Sequence, residues 1–213
     1  MKKKTIVTIV AGIAVLALAI VPAIAFYTAK TEKVRNKFSI TEGDRRDDAS
    51  EIFELEWKES LAQEMVPGMT VAKNPSLKSA VPYRAIGYMA VTIPQVEAAM
   101  NEEDIMEPCD SIELLEVSTA WRHVDTLPPV DDYPKVEIYC YNYPIDTDDM
   151  TQPLFNYIKV PDFDRCEGIE DFIDVTGYLV QAQAVDQTTA DADATAYFTN
   201  YFQTDYKPPK YDD

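Results

Sequence analysis

The chain has 213 residues, of which 37 are acidic and 19 basic, giving a formal net charge of −18. This balance argues strongly against nucleic acid as a partner, because binding phosphates requires clustered Lys and Arg. It disfavours anionic membrane surfaces for the same reason. The 11% aromatic content, with 13 tyrosines, excludes a disordered acidic tail.

An apolar run follows a short basic segment at the N-terminus. The lysines at positions 2–4 precede an uncharged stretch of 21 residues, 5–25. This is the positive-inside arrangement, in which the lysines stay in the cytoplasm and the remainder crosses the membrane. The stretch is long enough to span a bilayer as a helix, so the bulk of the chain is expected outside the cytoplasm.

The end of that run resembles a cleavage site. Pro22 breaks the helix, and Ala23 and Ala25 form the small-x-small pattern that a signal peptidase accepts. We therefore predict a signal peptide over residues 1–25 and a mature chain that begins at Phe26. An uncleaved membrane anchor is the alternative.

Removing residues 1–25 removes three of the 19 basic residues and no acidic residue, which leaves 16 basic and 37 acidic residues and a net charge of −21. The remaining length of about 188 residues suffices for one domain with a real core. We assign this secreted domain to residues 26–205, and a flexible polar tail to 206–213.

Alternation of apolar and polar residues with period 2 dominates the mature chain, and this alternation is typical of strands. Helical patterns are restricted to 94–105, which begins at a proline, and 188–202. The sequence predicts a mostly β fold, an antiparallel β-sandwich or jelly-roll-like domain with one or two short helices. The predicted strand regions are 34–40, 51–57, 65–79, 83–94, 111–124, 135–143, 151–161 and 171–186.

The three cysteines do not form a metal or redox motif, because none lies in a CxxC pair. Cys140 is in register with apolar residues of its strand and is expected to be a buried thiol. Cys109 and Cys166 lie in turn-like contexts, and an exported protein could join them in a disulfide. Sequence alone does not fix this connectivity.

Catalytic apparatus is missing from the sequence. The one histidine, His123, lies in a strand pattern without a second histidine at zinc-site spacing, a nucleophile elbow or a Gly-rich oxyanion loop. We expect it to be a surface residue, and we expect no enzyme activity and no cofactor. Asp146, Asp148 and Asp149 are weak calcium candidates, with a solvated acidic loop as the plainer interpretation.

Four ordered segments carry a resemblance to a known family: "AIAFYTAKTEKVRNKFSI", "MVPGMTVAKNPSLKS" followed by "YRAIGYMAVTIP", "YCYNYPIDTDDMTQPLFNYIKVP", and "IDVTGYLVQAQAVD". Together they resemble the secreted proteins of Gram-positive bacteria that are processed by a SipW-type signal peptidase, the TasA/camelysin-like group. The order is kept over roughly residues 1–186. The junction differs from the usual family pattern, and "SAVP" replaces the usual "NTG" after the Lys-Asn-Pro strand.

The resemblance implies a jelly-roll-like β-sandwich in extracellular fibres of a biofilm matrix or on a cell or spore surface. It also implies that the freed segment 26–40 acts as a donor strand that completes the next subunit's sheet, with Val34, Phe38 and Ile40 as apolar anchors. Pairing in cis, as the domain's own first strand, is the alternative. The protease activity attached to the camelysin name is not expected here, because the zinc motif is missing.

Two functional hypotheses follow. The first is a secreted non-enzymatic structural protein, with self-association or other matrix proteins as partners. The second is a membrane-anchored extracellular binding module for a protein or carbohydrate. Its ligand face would combine the proline-rich loop 125–134 with Tyr139, Tyr141 and Tyr143.

Overall fold

The structure is a computed structural model, and the residues described are 28–30, 34–36, 50–56, 65–99, 107–130, 133–163, 165–166, 173–183 and 185–205. Several predicted features lie outside these residues: the signal peptide with Ala23, Ala25 and Phe26, the anchors Phe38 and Ile40, and the tail 206–213. Within the described ranges, the structure contains no helix with the length and apolar character needed to cross a membrane.

The described chain is mostly β, as the sequence predicts. All of its sheets are built from antiparallel pairs. The strands are β1 Thr28–Lys30, β2 Val34–Asn36, β3 Ser50–Glu54, β4 Thr70–Ala72, β5 Pro75–Ser79, β6 Ala85–Ile93, β7 Gln95–Ala99, β8 Glu107–Asp110, β9 Glu113–Leu115, β10 Trp121–Leu127, β11 Lys135–Tyr141, β12 Tyr157–Lys159, β13 Arg165–Cys166 and β14 Ile173–Gln181.

The main sheet has the strand order β1-β14-β6-β11-β10, with β2 also paired to β14. Its centre is formed by β6 and β14, the two nine-residue strands. Both strands are buried on both faces. This burial explains the nearly continuous apolar run of β6, whereas β14 keeps polar residues at Asp174 and Thr176. At one edge β10 carries a β-bulge between His123 and Asp125, a device that protects an exposed edge from unwanted pairing.

Three smaller sheets accompany the main sheet, and strands β3, β4, β5 and β12 of two of them share a core with one of its faces. The smaller sheets have the orders β4-β12-β9, β13-β7-β8 and β3-β5. The larger core cluster joins main-sheet residues such as Met89 and Leu179 to Leu77 of β5 and Ile158 of β12. Gly87 allows this close packing, because a Cβ atom there would lie 2.5 Å from Ile145 Cδ1 and 2.9 Å from Leu77 Cδ2.

A helix, α1 Gln187–Asn200, covers the other face and continues into a π-helical turn, Tyr201–Asp205. The Asp186 side chain caps its N-terminus by accepting a hydrogen bond from Thr189 N at 3.0 Å. Ala190, Ala194 and Phe198 recur every four residues and pack on the sheet. The prediction of a helix over 188–202 is confirmed.

The helix predicted over 94–105 is wrong where the structure describes it, at residues 94–99. Residues 95–99 form β7, which pairs with β8 on one side and β13 on the other. Intrinsic helix propensity is a weak preference, which tertiary pairing readily overrides. The single strand predicted over 111–124 is instead two strands, because Glu116 adopts a positive φ of 56° between β9 and β10 and breaks the extended run.

Candidate functional site

The N-terminal segment joins the domain along β14, where β1 and β2 form the edge of the main sheet. Along one side β14 pairs with β6, from Val175 to Gln181. Along its other side it pairs with β1 and β2. Val34, predicted as an anchor of an added strand, lies in β2 directly opposite Val175. In this chain the N-terminal strands therefore pair in cis, the alternative that the sequence left open.

The two N-terminal strands use different registers. Lys30 of β1 lies opposite Tyr178, whereas Val34 of β2 lies opposite Val175. Four residue steps along the N-terminal segment therefore match three along β14. The register of β2 on β14 therefore does not continue the register of β1.

Asp174 occupies an unusual position for a carboxylate. Asp174 lies within β14 and is fully buried, at 0% exposure. Its backbone N donates to Thr92 Oγ1 at 2.7 Å. The paired ladder of β14 with β6 begins one residue later, at Val175. On the opposite side Asp174 faces Arg35 of β2 in the antiparallel register.

Helix α1 supports β14 from behind through aromatic contacts. Tyr178 of β14 stacks on Tyr197, with ring centroids 4.3 Å apart and planes 9° apart. The Tyr178 hydroxyl also donates to Asp193 Oδ2 at 2.9 Å. Phe198 meets the Tyr178 ring edge-on at 6.0 Å. The strand that receives the N-terminal segment is therefore held rigidly from the helix side.

A second polar cluster fixes the N-terminal half of α1 to the sheet. Asp191 accepts hydrogen bonds from Arg122 Nη2 on both carboxylate oxygens, at 2.5 and 2.7 Å. It also accepts from the Tyr88 hydroxyl and from Gln187 Nε2, each at 2.8 Å. Cys140 lies beside this cluster, 3.6 Å from Gln187 Nε2. These residues join the helix to three neighbouring strands, β6, β11 and β10.

The electrostatics of this cluster favour a structural role. Burial alone would raise the pKa of Asp191, but hydrogen bonds from Arg122, Gln187 and Tyr88, with the guanidinium charge, hold it below its ordinary value of 3.8. Burial raises the pKa of the Cys140 thiol, despite the opposing effect of Arg122. Because thiolates rather than thiols are nucleophilic, Cys140 acts as a core residue, as the sequence predicts.

This cluster predicts an acid-sensitive attachment of the helix. A carboxylate whose pKa is depressed on folding contributes stability above its unfolded pKa of about 3.9 and loses it as pH falls through the folded value. We expect Asp191→Asn to lower the free energy of unfolding at pH 7 by about 1–3 kcal/mol and to weaken its fall below pH 4. Denaturant unfolding at several pH values measures both. The exposed Asp149→Asn is the matched control, and an equal loss there would contradict this role.

The other edge of the main sheet carries a polar network across β10 and β11. His123 Nε2 and Glu137 Oε2 share a hydrogen bond of 2.7 Å, and Thr126 Oγ1 donates to the same Glu137 oxygen at 2.7 Å. Lys135 Nζ lies 3.1 Å from Glu137 Oε1 and also pairs with Asp110. His123 is exposed, as the sequence predicts.

The pKa values in this network follow from its pairing. Burial would raise the pKa of Glu137, but hydrogen bonds from Thr126, His123 and Lys135 lower it below its ordinary value. Burial raises the pKa of the neighbouring Tyr139 to about 12, with help from the Glu137 charge. Glu137 is therefore an ionised carboxylate surrounded by donors, and its contacts stabilise β10 and β11 across the bulge.

The three tyrosines that the sequence placed on a ligand face have different environments. Tyr139 is buried and belongs to the core, whereas Tyr143 is 60% exposed. Tyr141 lies between them, with its ring centroid 5.0 Å from Trp121 and 5.6 Å from Tyr143. Only the end of this row near Tyr143 is open to a ligand.

The calcium candidates lie in an exposed acidic turn. Asp146 is exposed and pairs with Arg84 at 3.5 Å, and its backbone oxygen accepts from Asp149 N in a turn in which Asp148 has a positive φ of 66°. Among the described residues, no three acidic, His or Cys side chains come together in a way that could hold a metal ion. The described geometry is that of a solvated acidic turn, and calcium binding by this loop stays a prediction.

The candidate disulfide is disfavoured by strand register. Cys109 of β8 lies opposite Val96 and Cys166 of β13 opposite Ala98, on the two sides of β7. Strands that flank a common neighbour lie about 9–10 Å apart, beyond the roughly 4.4–6.8 Å between Cα atoms that a disulfide spans. Cys109 Sγ instead donates to Val96 O at 3.6 Å. The Cys166 side chain lies outside the described residues, so the bridge itself remains a prediction.

Sequence reasoning missed the two most informative charged positions. Asp174 was assigned to the polar face of a long strand, because alternation with Ile173 and Val175 makes it resemble a solvent-facing residue. The pairing of Arg122 with Asp191 joins residues 69 positions apart. No local signal predicts that contact.

Comparisons of the chain with protein-family models, with curated proteins and with solved structures found no match.

Proposed function

We propose that this chain is an exported, non-enzymatic structural protein of a cell surface or biofilm matrix, and that its N-terminal strands can complete the main sheet of a neighbouring copy. The observation that carries the proposal is the edge addition of β1 and β2 to β14, through six paired residues. Strand addition at an edge contributes main-chain hydrogen bonds, and facing side chains supply register.

The connection to the rest of the domain is long enough for exchange. Thirteen residues, 37–49, lie between β2 and β3. Fully extended, they would span about 45 Å, which exceeds the width of a single sheet. The same β14 edge can therefore receive β1 and β2 from its own chain or from a neighbour. An exchange that passes from one copy to the next does not close and produces a filament.

The N-terminal sequence supports export in this proposal. The same proposal includes a jelly-roll-like arrangement of the sheets. It also includes cleavage of residues 1–25 by a SipW-type signal peptidase. Contact with the membrane is then limited to the N-terminal segment before cleavage. The mature net charge of −21 keeps such a protein soluble until specific contacts form.

Deletion of the added strands tests assembly. The chain beginning at Phe26 is expected to grow into filaments as its concentration rises, as followed by light scattering and electron microscopy. A variant lacking residues 26–36 should stay monomeric, with far-UV circular dichroism as the check that it is folded. Equal polymerisation of the two chains would contradict the proposal.

A second candidate function is a membrane-anchored extracellular binding module. The observation in its favour is the exposed Tyr143 at the end of the aromatic row, beside Tyr141, because partly exposed tyrosines supply rigid contact area for protein and carbohydrate ligands. Saturable ligand binding by a monomer that retains Met1 in the membrane fraction would favour this function over assembly.

A further inference from the structure

Lys73 and Glu54 form an ion pair in the interior of the domain. The Lys73 side chain is 0% exposed and that of Glu54 is 6% exposed, and Nζ lies 2.6 Å from Oε1. Because a carboxyl C–O bond is about 1.2 Å long, the carboxyl carbon lies within about 4 Å of this nitrogen. An amine and a carboxyl group are therefore held close to reacting distance, away from water.

The backbone fixes both members of this pair. Glu54 is the last residue of β3, which pairs with β5. Lys73 stands between β4 and β5, and its backbone N donates to Asn156 O at 3.0 Å. Beside the pair, Asn74 Oδ1 accepts from Glu56 N at 3.0 Å. Fixed positions of this kind give intramolecular reactions effective molarities of about 10⁵–10⁸ M.

Burial favours the uncharged forms of the two groups. It lowers the pKa of Lys73, although the charges of Glu54 and Asp174 oppose this change. Transfer of the ammonium proton to the carboxylate produces a free amine, which is a nucleophile, and a carboxylic acid. A neutral amide in their place would remove the desolvation cost that a buried ion pair carries.

We propose that Lys73 and Glu54 are a covalent modification site, at which the chain forms an internal amide cross-link between the two side chains. The Lys73 nitrogen attacks the Glu54 carboxyl carbon, a new N–C bond forms, and the C–OH bond of the acid breaks. The hydroxyl group leaves with a proton from the attacking amine, as one molecule of water. The pair is neutral in total before and after this step, so the reaction needs no oxidant, reductant or activating nucleotide.

The cross-link would join β3 to the connection between β4 and β5, through residues 19 positions apart. Among the described elements, β3 is the strand that follows β1 and β2. If those two strands pair with a neighbouring copy, tension along them enters their own domain at β3, which the bond would hold. Because the bond lies within one copy, the inference does not depend on assembly. The ion pair is the state that precedes the bond.

Peptide mapping of the folded mature chain tests the proposal, after long incubation at neutral pH and then denaturation and digestion with trypsin. We expect most chains to resist cleavage after Lys73. Fragments 47–58 and 59–78 should then appear as one branched peptide, about 18 Da lighter than their sum through loss of one water. Fragment ions should place the bond at Glu54, and not at Glu51 or Glu56.

An exposed ion pair supplies a matched control within the same digest. Lys159 Nζ lies 2.8 Å from Asp162 Oδ2, but the Asp162 side chain is 76% exposed. We expect no cross-link there, because water stabilises both charged groups. Equal cross-linking at this pair would overturn the proposal, because burial would then play no part in the reaction.

Chains that lack either group, or the fold, complete the test. Lys73→Met and Glu54→Leu should each abolish the branched peptide, and so should keeping the unmodified chain unfolded in urea throughout the incubation. A branched peptide that forms equally in urea would overturn the proposal. Complete cleavage after Lys73 in the folded, incubated, unmodified chain would also overturn it, whether or not the variants fold.

Discussion

Replacing Lys73 by Met is expected to lower the free energy of unfolding by about 3–5 kcal/mol. The Lys73 side chain is fully buried, and that of Glu54 is only 6% exposed, with Nζ and Oε1 2.6 Å apart. Burial lowers the pKa of Lys73, and the Glu54 carboxylate opposes this change. Substitution of the lysine alone leaves the carboxylate in the interior without its cation.

The pair also explains the Lys-Asn-Pro motif that the sequence contains. Lys73 binds Glu54, and the next residue, Asn74, accepts a hydrogen bond from Glu56 N at 3.0 Å. Pro75 begins β5, which pairs with β3. The motif therefore holds β3 beside β5 through the side chains of Lys73 and Asn74 and through the backbone ladder between the two strands.

A double variant supplies the control for this prediction. Lys73→Met with Glu54→Leu removes both charges and keeps apolar volume, so it should recover most of the lost stability, because replacing a whole buried pair by apolar residues is close to neutral. Urea unfolding of the three variants measures the coupling. Additive losses in the double variant would contradict the assignment of a buried ion pair.

Replacing Phe198 by Ala is expected to have the second large effect, a loss of about 3–5 kcal/mol. Phe198 is fully buried between α1 and the main sheet and contacts the rings of Tyr178 and Phe202. Its removal leaves a cavity on the helix-covered face behind β14, the strand that receives the N-terminal segment.

Hydrogen exchange locates this effect. We expect faster exchange in α1 and β14 of Phe198→Ala, together with the loss of stability in urea. Phe53→Ala is the matched control, because Phe53 is only partly buried and lies in β3. A smaller loss is expected there, with α1 unaffected. Unchanged exchange of α1 in Phe198→Ala would show that the helix is held by other contacts.

The parts of the fold that sequence predicted are those in which local pattern and tertiary structure agree. The apolar run that becomes β6 and the alternation that becomes β11 both lead to the observed strands. The helix over 187–200 combines a capping Asp186 with small and aromatic residues at helical spacing. In each case propensity, periodicity and burial favour the same structure.

The errors arose where tertiary contacts decide. Residues 95–99 have helical propensity, but β8 and β13 offer a ladder on both sides. Asp174 resembles a surface residue by alternation, yet the main sheet is covered on both faces, so residues of either parity are buried in β14. Single-sequence periodicity predicts which residues share a face and does not predict that both faces are covered.

The candidate site was predictable in part. The alternation over 34–40 identified a strand, and Val34 indeed lies in one. Its partner strand and register depend on contacts with residues about 140 positions away, for which the sequence contains no local signal. The burial of Asp174, which lies opposite Arg35 of that strand, was missed for the same reason.

Cross-linking between copies tests the central claim of strand exchange most directly. Residues 28 and 180 are register partners, so a chain with Thr28→Cys and a second chain with Val180→Cys can be mixed, assembled and oxidised, with the unmodified chain as the control for its native cysteines. Strand exchange predicts a disulfide between residue 28 of one copy and residue 180 of another, identified by mass spectrometry. Filaments without that cross-link would contradict exchange at β14.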